Sequence, residues 1–120
     1  MKQFKIPNVT LTGGAGATKV ASVPIPTGEL IRVVAEVRTK DATTGDNSFI
    51  VGTAVVKNLA GTTTIVGSAS IDATFSEGAA ALTMVANDTD NTLDIKVTPS
   101  ANDTIAEGIN TVERFSETPV

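Results

Sequence analysis

Cysteine, histidine, tryptophan and tyrosine are all missing from this 120-residue chain, and each absence removes a class of chemistry. Without cysteine there is no disulfide framework, no thiolate nucleophile and no thiolate metal ligand. Without histidine the commonest general base and a common zinc ligand go too. Four phenylalanines are the entire aromatic content, so Val, Ile, Ala and Thr must fill the core, and sugar recognition by ring stacking has few platforms. Side chains this small bury little area each, which limits what a lone domain of this length recovers against chain entropy; oligomerisation is the usual remedy. No apolar run reaches the length of a membrane span, and residues 1–20 lack the apolar middle of a secretory signal. The chain therefore reads as made in the cytosol and kept or assembled there, with no membrane partner.

Net charge is −4 at pH 7, which argues against a nucleic-acid partner, since wrapping phosphates needs clustered Lys and Arg. The charge is uneven: the first 28 residues hold three lysines and no acid. An arm and a body of opposite sign attract.

What is present is β-structure. In residues 30–40, Ile31, Val33, Ala35, Val37 and Thr39 alternate with Leu30, Arg32, Val34, Glu36 and Arg38, so one face is dry and the other mostly charged. At helical spacing the apolar set is broken by Arg32, Glu36 and Arg38, and the β-branched residues favour a strand. This stretch predicts a long strand at a core. Around it, residues 49–57 and 62–68 predict a hairpin across Asn58–Gly61, and residues 79–86 and 92–98 predict a second across Asn87–Asn91. Short strands over 9–12 and 18–23, an irregular one over 70–78 and a last one over 104–115, interrupted by Gly108, complete the set. Gly52 marks a bulge or a close backbone approach. The expected architecture is all-β: an antiparallel β-sandwich or jelly roll of seven or eight short strands. Its expected divisions are an N-terminal arm with a first short strand over residues 1–22, the sandwich over 23–116 and a fraying tail over 117–120.

Residues 1–8 read either as an edge strand or as an extended arm ahead of Pro7. An arm carrying Phe4 and Ile6 makes physical sense only if something covers those side chains. Lys2, Phe4, Lys5 and Ile6 are therefore the candidate partner-binding residues. The acids Asp41, Asp46, Asp88 and Asp90, in the two most polar loops, are candidate contacts. Acids alternate across residues 87–91 as in calcium loops, but the glycine and distal glutamate of an EF-hand are lacking, and an Asx-rich turn is the plainer reading. The Gly13–Gly16 cluster lacks the following Gly-Lys-Ser/Thr and helix of a phosphate loop. Catalysis would have to run on carboxylates, which lie mostly in turns or on wet strand faces; Ser22 or Ser48 with a lysine is formally possible, and no spacing selects either. No enzyme activity, cofactor or metal is expected.

One ordered set of residues carries a resemblance: residues 25–31, 33–38, the 43–46 loop, 54–58 with 60–62 and 65–67, and 93–98. Over about residues 20–112 the chain resembles a domain common in tailed-phage structural proteins, found in tail fibres, head fibres and capsid decoration proteins. The resemblance implies a small trimeric β-sandwich in the virion. Because this sequence starts at Met1 with only a short basic arm, a capsid decoration (cement) protein is the expectation. That implies a homotrimer on the major capsid protein at the outer capsid surface, made in the host cytoplasm and clamped by its arms. A receptor-binding fibre module touching a host surface is the alternative. The family often has a Trp where this chain has Glu107.

Overall fold

A computed structural model describes residues 1–116. Its nine strands are β1 (Lys2–Leu11), β2 (Thr18–Pro24), β3 (Glu29–Asp41), β4 (Asn47–Leu59), β5 (Thr62–Ile65), β6 (Ser70–Ser76), β7 (Ala81–Asn87), β8 (Thr92–Thr98) and β9 (Thr104–Ser116). Every pairing is antiparallel. Six strands form a large sheet in the order β1-β9-β3-β4, with β6 and β5 end to end along the free edge of β4, and β2-β8-β7 form a smaller sheet. The protein is an antiparallel β-sandwich, with one more strand than the upper sequence expectation.

β3 lies at the centre of the large sheet, paired along its length with β9 on one side and β4 on the other. Its period-2 pattern explains this: Ile31, Val33, Ala35 and Val37 are all 0% exposed. They face Leu93, Ile95 and Val97 of β8 and Leu82 and Met84 of β7 within one core. Each buried Val, Leu or Ile contributes about 1.5–3 kcal/mol relative to exposure. No phenylalanine takes part: the core is aliphatic plus Met84, and all four rings are on the surface.

Two glycines set the spacing. A Cβ on Gly108 would stand 2.1 Å from the Glu36 carbonyl oxygen, so only glycine lets β9 lie this close to β3. A Cβ on Gly52 would meet Met84 Sδ at 3.0 Å and Leu82 Cδ2 at 3.1 Å. The β4–β6 register also slips between Val51 and Gly52, so Gly52 marks both a close approach and a bulge.

The segment expected as an N-terminal arm is sheet. β1 pairs with β9 from Lys2 to Leu11, with a register shift between Ile6 and Val9 where Pro7 cannot donate to the ladder. Ile6 is fully buried in the protein's own core. The division expected at residue 22 cuts through β2, which pairs with β8 from Thr18 to Pro24. The cause is the alternation Phe4-Lys5-Ile6, which suits an edge strand as well as an arm, combined with a core that has room for Ile6. The tail expected over 117–120 lies outside the described residues.

Candidate functional site

The outward face of the large sheet is the molecule's most distinctive surface. Strand alternation fixes its members: Arg32, Val34, Glu36 and Arg38 from β3, Phe49, Val51 and Val55 from β4, and Glu107, Ile109 and Glu113 from β9, opposite the buried set. One cross-strand row runs Glu107, Arg38, Phe49, Phe75, and the next runs Lys5, Ile109, Glu36, Val51, Ala73. Phe49 is 40% exposed, Phe75 69% and Ile109 41%.

Phe49 stands as a ridge between two shallow troughs. A trough of about 520 Å³ is floored by Ile109 and Gly108 and rimmed by Gln3, Lys5, Glu36, Arg38 and Glu107. A second, of about 380 Å³, lies between Phe49 and Phe75 and is rimmed by Arg38, Asn47 and Glu77. Arg38 is held in place: Nη1 donates to Glu107 Oε1 at 3.2 Å and Nε donates to Asn47 Oδ1 at 3.1 Å. Farther along, Arg32 Nη1 donates to Glu113 Oε1 at 2.6 Å. Exposed pairs of this kind add little stability, up to about 1 kcal/mol each. Their effect here is to keep charged heads beside the apolar ridge instead of over it. Where the resembled family often carries Trp, Glu107 serves as a rim charge. The arrangement offers a broad apolar and aromatic surface with both charge signs at its margin, suited to a protein surface rather than to an enclosed substrate.

The four candidate acids are not brought together; they occupy opposite ends of a body 54 × 24 × 23 Å. Asp41 is a correction: the residue is buried, not an exposed contact. Its carboxylate accepts N–H bonds from Thr44 at 2.9 Å and Thr43 at 2.8 Å, the Ser100 hydroxyl at 2.8 Å and Asn102 Nδ2 at 3.1 Å. The Thr44 N–H beside it is the largest influence, and with the other donors it outweighs desolvation, holding the carboxyl well below the usual range. Asp41 staples the β3–β4 loop to the β8–β9 loop. Asp46 shares that end and is partly exposed. At the other end Asp88 Oδ1 accepts the Thr63 N–H at 2.8 Å, tying the β7–β8 turn to β5, and Asp90 Oδ2 accepts from Asn87 Nδ2 at 3.1 Å. These two acids close an Asx-rich turn. Among the described residues no three acidic side chains gather as a metal site.

Of the candidate arm residues, Ile6 is unavailable to any partner. Phe4 is 45% exposed and overhangs a cleft of about 130 Å³ between β1 and β2, lined also by Ala21, Ser22, Val23, Pro24 and Asn110. Lys5 also touches this cleft and lines the large trough on the outward face. Sequence reasoning missed Phe49, Phe75, Ile109 and Arg38. The signal was in β4, where Phe49, Val51 and Val55 make the second face as apolar as the first. A strand apolar on both faces needs cover on both.

No family model matches the chain, and no curated protein matches it in sequence. Among solved structures it is similar to the tailspike protein of Acinetobacter baumannii phage AM24, with a TM-score of 0.56 at 10% identity. The match covers 97% of this chain and 27% of the tailspike. The chain thus spans about a quarter of that protein's length, and what the two share is an all-β fold.

Proposed function

We propose that this chain is a structural component of a tailed-phage virion that works by surface contact and not by catalysis. One observation carries the reading: all four phenylalanines stand outside the core. A Phe buries about 150–250 Å² when covered and is among the strongest core-building side chains. A domain that fills its interior with Val, Ile and Leu while holding every ring in water gains from those rings only when a neighbour covers them. The fold likeness to part of a phage tailspike and the resemblance of residues 20–112 to phage structural domains both support a virion setting.

Within that setting the finer reading is capsid decoration: copies of this chain, a homotrimer in the simplest case, seated on the major capsid protein at the outer capsid surface. Contact then falls to the exposed edge at β1, where Phe4 and Lys2 are accessible, and several weak contacts per oligomer add up through effective concentration. A tail-associated module is the second reading, and the tailspike likeness favours it. Incubating purified, tagged chain with separated heads and tails, then imaging the particles by electron microscopy, tests the two. Density on heads that is lost with Phe4→Ser supports decoration. Density on tails moves the assignment to the second reading, and binding to neither overturns the proposal.

A further inference from the structure

The outward face of the large sheet holds both halves of a contact. Phe75 projects from β6, the outermost strand on one side, and the trough floored by Ile109 lies three strands away across the same face. Phe75, Phe49, Arg38 and Glu107 share one cross-strand row. We infer that this face is covered by a second copy of the same chain, with Phe75 of one copy seated at the Glu107 margin of the Ile109 trough of the other.

The register makes the surface self-complementary. Rotation by half a turn about an axis running along the strands, between β3 and β4, lays β6 of one copy over β9 of its neighbour and β4 over β3. That operation brings Phe75 onto Glu107 at the margin of the trough, with Ala73 opposite Ile109, and sets Phe49 against Arg38, whose guanidinium suits an aromatic face. Because the contact is isologous, both rings seat at once. The trough, of about 520 Å³, has room for a benzyl group.

Area and charge point to the same occupant. The strands that overlap under this rotation are β9, β3, β4 and β6, three spacings or about 14 Å across, and β3, β4 and β9 each have 13 residues, about 43 Å long, so the shared face is at most about 600 Å². That is under one partner's share of a standard stable interface and suits a weaker, reversible association. Charges of both signs rim the troughs, Lys5 and Arg38 with Glu36, Glu107 and Glu77, so a copy of the same face opposes it without a single-sign field. A strongly acidic or basic partner would face like charges somewhere on the rim. This contact is independent of any virion location: a chain found on no particle would leave it standing, and a monomer would leave the location open.

The absence of cysteine gives a clean test. Phe75→Cys and Glu107→Cys chains are prepared separately, mixed and oxidised mildly. The expected product is a disulfide-linked pair in the mixture, at least about tenfold more abundant than in either variant alone. In parallel, sedimentation equilibrium of the unaltered chain at micromolar concentration should show an oligomer. Phe75→Ser should weaken association at least about tenfold, with an unchanged far-ultraviolet spectrum, while Val85→Ser on the small sheet should leave it intact. A ring of three copies overturns the contact, because a two-fold contact pairs copies and does not close on three. A monomeric unaltered chain overturns it, as does an oligomer indifferent to Phe75→Ser, or a preference for linking two Phe75→Cys chains to each other over forming the mixed product.

Discussion

The two outward faces of the sandwich differ in what they leave in water. On the small sheet, Ser22, Asp94 and Val85 form one cross-strand row and Lys19, Lys96 and Thr83 another. Asp94 is buried by its own hydrogen bonds, accepting from Ser22 Oγ at 2.9 Å, Thr92 Oγ1 at 2.8 Å and Asn87 Nδ2 at 3.0 Å. On that face the neighbours of Asp94 satisfy its carboxylate, and Val85 is the one large exposed apolar side chain among the described residues. On the large sheet the equivalent rows put Phe49, Phe75 and Ile109 in water beside ion pairs that leave them uncovered. Both faces belong to strands with equally dry inner sides, so stability of the sandwich does not explain the contrast. Contact does.

The sharpest way to break the contrast is to remove the frame beneath it. Gly108→Val places a side chain against the β3 backbone and should cost more than about 3 kcal/mol, seen as loss of a cooperative urea transition. Next comes a pair within the sheet. Ile31→Ala on the inner face should cost about 2–5 kcal/mol. Phe49→Ser on the outer face should cost under about 1 kcal/mol in dissociated chain while impairing association. An equal cost at the two positions would show that Phe49 serves the fold.

On the small sheet, Asp94→Ala leaves three donors without their acceptor and should destabilise by about 1–3 kcal/mol. Acid should act in the same place. Burial raises the Asp94 carboxyl, but the hydrogen bonds from Thr92, Asn87 and Ser22 outweigh it, so its pKa falls, as does that of Asp41. With folded values below the ordinary 3.8, the unfolded chain binds protons first as pH falls. The stabilisation is therefore complete well above pH 4 and is lost progressively below it. Melting temperature should stay level from about pH 7 to 5 with respect to these groups and fall below about pH 4, less steeply in Asp41→Asn. The smallest effect belongs to Val85→Lys, within about 0.5 kcal/mol and without influence on assembly.

Much of the fold was legible because alternation was strong where one side was dry. Ile31 to Val37 marked a long strand at the core, and Leu93, Ile95 and Val97 a half-buried hairpin limb; their central places in the two sheets emerge only from the structure. Both hairpins followed from glycine and Asx residues at their turns. Residues 1–8 were ambiguous for a physical reason: an edge strand and a free arm show the same alternation, and the choice depends on a distant β9 offering a ladder. The contact face was harder. Phe75 shares its sequence alternation with Ile71, yet the β4–β6 bulge puts Ile71 opposite Gly52 on the inner side and Phe75 opposite Phe49 on the outer. Asp41 read as a loop acid, because donors 59 and 61 residues away, Ser100 and Asn102, cannot be seen from its neighbours.

Pro7 has a consequence for behaviour in a crowded cell. Open strand margins invite sideways accretion of further chains into fibrils, and β1 is such a margin, ten residues long. The slip in pairing between Ile6 and Val9 around Pro7 breaks its regular course near its middle, so no incoming strand finds a long uninterrupted template. Growth by lateral stacking is thereby discouraged.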